Sequence, residues 1–110
     1  MATVKLAGAT VGFERIGSGS KATWGTGLQG YLPSDVSASA LSGFFGRPDK
    51  GSEDGKVTRQ WAFRFAGGGI ATVYDWKGGR GFNIGGNSKL AVAAVYAALG
   101  LEAPPEAFVA

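Results

Sequence analysis

Two residue types on which much protein chemistry depends are missing from this chain. Its 110 residues include no cysteine, which excludes disulfides, thiolate nucleophiles and cysteine-based metal sites. They include no histidine, which removes the usual general base near neutral pH and the commonest metal ligand. The opening MATVKLAGATVGFER lacks the layout of a signal peptide, with one lysine, a short broken apolar run and then charges. No apolar run approaches the roughly 18–20 residues of a membrane span, the longest candidate being Leu90–Leu99. The expectation is one domain over residues 1–110, soluble and cytoplasmic, with no membrane contact and no cofactor.

What is present is glycine, aromatic residues and an uneven charge. Lys56 to Lys89 holds six basic residues against one acid, Asp75, a balance of +5, while the remainder carries −2 of the net +3. An anionic partner would meet the middle of the chain; a solvated face with incidental charge is the competing reading. Arg59, Trp61, Phe63, Arg64, Tyr74, Trp76, Arg80 and Phe82 interleave aromatic and basic side chains, a mixture that can stack bases while neutralising phosphate.

Periodicity supplies the elements. Thr3–Leu6 and Thr10–Ile16 alternate as short strands, and residues 17–27 form a glycine- and serine-rich loop whose Trp24 either anchors on the core, the expected reading, or waits for a partner. Pro33-Ser34-Asp35 opens a helix, capped by Ser34 or Asp35, with Val36, Ala40, Leu41, Phe44 and Phe45 about one turn apart and Gly46 and Pro48 as its stop. DKGSEDG reads as an exposed linker, since its acids are not in the order of a calcium loop. Lys56–Phe65 puts Val57, Trp61, Phe63 and Phe65 on one side, with Arg59 interrupting, and Thr58, Gln60, Ala62 and Arg64 on the other, with Trp61, Phe63 and Phe65 as core. In Ile70–Lys77, Ile70, Thr72, Tyr74 and Trp76 oppose Ala71, Val73, Asp75 and Lys77, and Tyr74 and Trp76 either join the core or face a ligand. Around the AGGG turn these two runs predict an antiparallel hairpin, with Gly81–Ile84 as a third strand. A second helix spans Lys89–Leu99, capped by Asn87 or Ser88 and closed by Gly100. The tail at 101–110 contains a Pro-Pro pair that prevents helix, so Phe108 and Val109 pack back, reach a neighbouring chain or stay loose. The fold class is α+β, an antiparallel β-meander of three or more strands with two α-helices, the C-terminal one on the sheet. Because Leu90, Val92, Val95, Tyr96 and Leu99 spread apolar surface around most of that helix, a homo-oligomer is expected.

The chemistry favours binding over catalysis. Gly85-Gly86-Asn87-Ser88-Lys89 leads into the second helix, where free N–H groups and the positive end of the dipole hold anions. Arg80, Asn83, Ser88 and Lys89 form the polar part of a candidate anion site, with Phe82 as a stacking surface. The match to Walker or dinucleotide motifs is poor, and a tight strand-to-helix turn with an ordinary cap is the alternative. Asp75 and Asp35 have no visible acid–base partner, so no catalytic residue is assigned.

The segments LQGYL, FGRPDKGSEDGKVTRQW, IATVYDWK and FNIGG, between Leu28 and Gly86, together resemble a series found in small phage-encoded accessory proteins. Gln60 stands where an acid is usual, Phe82-Asn83 where Trp-His is usual, and the insertion at 17–27 is distinctive. Proteins of that kind resemble counter-defence proteins, either anti-CRISPR inhibitors or sponges of the anti-Thoeris and anti-CBASS type. The resemblance implies a non-enzymatic protein in the host cytoplasm that inhibits bacterial immunity by binding a nucleotide messenger or a host defence protein. A nucleic-acid-binding module, an inhibitor seated on a Cas effector and a structural phage protein are the alternatives.

Overall fold

The computed structural model of the chain describes residues 2–6, 9–65, 68–76 and 81–108. It contains strands β1 (Ala2–Leu6), β2 (Ala9–Ile16), β3 (Gly27–Tyr31), β4 (Asp49–Lys50), β5 (Arg59–Phe65), β6 (Gly69–Asp75) and β7 (Phe82–Gly86), with helices α1 (Ala38–Phe45) and α2 (Leu90–Ala98). The strands form one antiparallel sheet in the order β1-β2-β5-β6-β7-β3, and β4 pairs with β5 beyond the end of β2. The α+β class and the seating of the C-terminal helix on the sheet are as the periodicity predicts.

The β5–β6 hairpin is the centre of the sheet, with Trp61 opposite Val73 and Phe63 opposite Ala71. Trp61, Phe63 and Phe65 line the core, as their alternation requires. Phe13 of β2 stacks on Phe63 with centroids 4.5 Å apart, Phe45 of α1 meets Phe63 at 4.5 Å, and Phe82 of β7 meets Trp61 edge-on at 5.9 Å. Each such pair adds roughly 0.5–1.5 kcal/mol beyond the burial itself. On β6 the core-facing residues are Ala71 and Val73, so Thr72, Tyr74 and Trp76 belong to the other face.

Helix α1 begins at Ala38, later than its predicted start. Val36 N–H donates to Pro33 C=O at 3.1 Å, which keeps Ser34 and Asp35 in a turn, and the Ser37 hydroxyl caps the helix by accepting from Ala40 N–H. Gly46 ends it at φ 87°. The Arg15 guanidinium then donates to the Phe45 and Arg47 carbonyls at 2.8 and 2.9 Å, supplying cationic donors where the helix leaves acceptors unpaired. Leu41 is fully buried, whereas Phe44 turns outward.

Helix α2 is buried within its own chain. Ala91 to Tyr96 are six consecutive buried residues, an arrangement that needs cover on several sides. The helix touches both outer strands, β1 and β3, as well as β6 and β7. Six flat strands would span about 24 Å against a helix diameter of about 10–12 Å, so the sheet curls around the helix. Despite the Pro-Pro pair, a short 3₁₀ helix forms at Pro105–Phe108, since its turn starts on the second proline, and packs on α2 with Ala107 buried; Val109 lies outside the described residues. Tyr96 Oη donates to the Tyr31 carbonyl at 2.7 Å. Of the apolar circumference from which a homo-oligomer is expected, Val92, Val95, Tyr96 and Leu99 are covered inside one chain, while Leu90 is exposed.

Two elements have no counterpart in the sequence-based expectation. β3, with two glycines in five residues, has little intrinsic strand preference; it forms by pairing with β7, with a bulge at Gln29. β4 lies in the segment read as a linker, and the Gln60 side chain donates to its Lys50 carbonyl at 2.6 Å.

Candidate ligand-binding site

Because both helices pack on one face of the sheet, the opposite face is available. Alternation and register place Gln60, Tyr74, Asn83 and Tyr31 in a row across β5, β6, β7 and β3 on that outer face. The next row is Ala62, Thr72, Gly85 and Leu28. Gly85 creates the depth: a Cβ there would come within 2.5 Å of Thr72 Oγ1 and 3.4 Å of the Tyr74 ring.

The loop between β2 and β3 arches over this face. Its foot is Ser18, whose N–H and hydroxyl both donate to Asp49 Oδ2, at 3.0 and 2.6 Å, while Arg15 pairs with Asp49 Oδ1 at 3.1 Å. Burial would raise the Asp49 pKa, but the Ser18 hydrogen bonds and the Arg15 charge outweigh it and hold the carboxyl below its usual range. Further along, the Thr23 hydroxyl donates to the Ser18 and Ser20 carbonyls and the Thr26 hydroxyl to the Thr23 carbonyl at 2.7 Å. A run rich in glycine and serine thus becomes a hydrogen-bonded loop through its hydroxyls.

Sheet and loop together border an open depression of about 270 Å³ lined by Ser18, Thr23, Thr26, Gly27, Val57, Gln60, Thr72, Tyr74, Trp76 and Gly85. The lining is hydroxyl, amide and aromatic, with Val57 as an aliphatic wall and no charged side chain. Basic residues flank it: Lys50 and Lys21 form no ion pair among the described residues, while Lys56 and Arg59 pair with Asp54 and Asp75. A larger depression of about 460 Å³ lies between α1 and α2, but its Arg15 is already committed to the Phe45, Arg47 and Asp49 oxygens.

The described residues among those proposed from sequence do not converge. Arg80 lies outside the described residues. Phe82 is buried against Trp61, so its ring serves the core rather than a stacking surface. Asn83 is half-buried on the outer face. Ser88 and Lys89 are exposed beyond the other end of β7, five and six residues along the chain from Asn83. Lys89 borders a separate cavity of about 410 Å³ with Tyr31, Val92 and Tyr96. Neither Asn87 nor Ser88 caps α2, and its first N–H groups bond within the turn, Ala91 to Ser88 and Val92 to Lys89. Gly86 answers to packing: a Cβ there would lie 2.5 Å from both Ala91 Cβ and the Ile70 carbonyl.

Asp75 is committed to the hairpin. Its carboxylate accepts from the Thr58 hydroxyl, from Thr58 N–H at 2.7 Å and from Arg59 N–H at 3.2 Å. Burial pushes its pKa up, and these bonds with the Arg59 charge bring it below the usual value. Such a carboxylate is a poor general base at neutral pH. Trp24, expected to be an anchor, is instead 71% exposed.

Thr72 and Gln60 were legible in principle, since both fall in the same period-2 phase as Tyr74, opposite Trp61. Ser18, Thr23 and Thr26 carried no such signal, because a loop has no period. Among the described residues no helix is long and apolar enough to cross a membrane, and no cluster of side chains can hold a metal ion. Comparison with known families, curated proteins and solved structures finds no significant match to this chain.

Proposed function

We propose that this protein is a non-enzymatic binding module whose outer sheet face takes a nucleotide-type ligand, the base and sugar entering the cavity over Tyr74 and Trp76. The observation that carries the reading is the lining itself. An uncharged pocket of hydroxyl and amide groups with two aromatic side chains suits a heterocycle and a ribose, and the flanking lysines suit a phosphate at its mouth. Sequestration of such a ligand as a phage counter-defence measure belongs to the same proposal and rests on the resemblance in Leu28–Gly86 alone.

The test is a thermal-shift panel of cyclic nucleotides and ADP-ribose-type nucleotides on wild type and on Tyr74→Ala. Ligand at 100 times its Kd stabilises by about 2.7 kcal/mol, and Tyr74→Ala is expected to abolish the shift. Absence of any shift across the panel, or undiminished binding by Tyr74→Ala, refutes the reading.

A further inference from the structure

The loop over the outer face carries a tryptophan that folding alone does not explain. Trp24 has φ −67° and ψ 138°, and Gly25 follows at φ 80°. These are the central angles of a type II turn, closed by Thr26 N–H to the Thr23 carbonyl at 3.3 Å. Trp24 thus sits at the turn's first corner, between Thr23 and Thr26, which both line the cavity. The backbone holding it is fixed by Trp24 N–H to the Lys21 carbonyl at 3.0 Å and by the Thr23, Thr26 and Ser18 bonds. A large apolar ring is held in water on a hydrogen-bonded loop, between two residues that line a pocket, a poor use of tryptophan unless something covers it.

The neighbouring charge says what that is. Lys21 Nζ stands 5.8 Å from the Trp24 ring centroid, within cation–π range. Moreover, the cavity of about 270 Å³ falls short of the roughly 300–1,000 Å³ of a whole-ligand site, so a nucleotide larger than one nucleoside extends past its mouth onto this loop.

Resting on the function proposed above, we infer that Trp24 and Lys21 form a second recognition element, Trp24 stacking on a planar ring of the ligand and Lys21 neutralising the phosphate attached to it. Trp24 accordingly sets a preference for ligands with two rings or an extended ring–phosphate unit over a single nucleoside.

The experiment measures affinities of adenosine, AMP, ADP-ribose and a cyclic dinucleotide for wild type, Trp24→Ala, Lys21→Ala and Tyr74→Ala by calorimetry. Stacking lost at Trp24 predicts a fall of about 5- to 150-fold, equivalent to 1–3 kcal/mol, for the cyclic dinucleotide, and little change for adenosine. Lys21→Ala is expected to weaken the phosphate-bearing probes and leave adenosine unchanged. Both side chains are exposed, so the melting temperature of each variant should match wild type. If Tyr74→Ala abolishes binding while Trp24→Ala binds the dinucleotide as wild type does, the Trp24 element is refuted and the pocket stands. If wild type binds none of the four probes, pocket and platform fall together.

Discussion

Asn87 completes the edge of β6 as though it were another strand residue: its Oδ1 accepts the Ile70 N–H at 3.1 Å, while its own N–H donates to the Ile70 carbonyl at 3.4 Å. Its Nδ2 reaches the Gly68 carbonyl at 3.3 Å. Ile70 is buried, so removing the acceptor strands a donor away from water. Asn87→Ala is expected to cost about 1–3 kcal/mol, and Asn87→Asp less, because it keeps the acceptor for Ile70. Urea denaturation of both variants checks the order.

Trp61 ties the end of α1 to the middle of the sheet. Its indole Nε1 donates to the Gly46 carbonyl at 2.9 Å, and its ring is fully buried against Phe45 and Phe82. Trp61→Phe loses the bond and leaves space, for a predicted loss of about 1–3 kcal/mol, while Trp61→Ala should approach 3–5 kcal/mol. Equal midpoints for the two variants in chemical denaturation would refute this account.

Stability should fall in acid through Asp49 and Asp75. Both carboxyls have folded pKa values below the reference 3.8, so their contribution is present above that pH and is lost as pH falls through the folded values. The melting temperature of Asp75→Asn should therefore lie below wild type at pH 7, with the gap narrowing below about pH 4. A gap that widens with acidification would contradict the hydrogen-bond arrangement at Thr58 and Arg59.

Glycines in this chain divide into those that packing demands and those it does not. Gly86→Ala would drive a Cβ into Ala91 and the Ile70 carbonyl, and overpacking of this kind costs about 1–3 kcal/mol. At Gly17 a Cβ meets nothing within 4 Å and the backbone is not left-handed, so Gly17→Ala should be neutral or stabilise by about 0.4–1 kcal/mol. Equilibrium unfolding of the pair separates these two classes directly.

What could be read from the chain itself were the features generated inside one element. Alternation in KVTRQWAFRF identified β5 and its buried side, because a strand's period is a local property of its backbone. The glycine after each helix likewise marked its end, since the left-handed turn that closes a helix favours a residue without Cβ. Pairing between elements decided the rest. β3 exists because β7 offers it a partner, and most of α2 is covered because both outer strands curl round it. On β6, only the packing of α2 on Ala71 and Val73 settled that Tyr74 and Trp76 face outward; period 2 alone leaves the two faces equivalent. The pocket depends on hydroxyls of a loop that no periodicity describes, seated by Ser18 on Asp49, a contact spanning thirty-one residues. Local sequence determined which residues share a face, and the tertiary structure decided which face meets water.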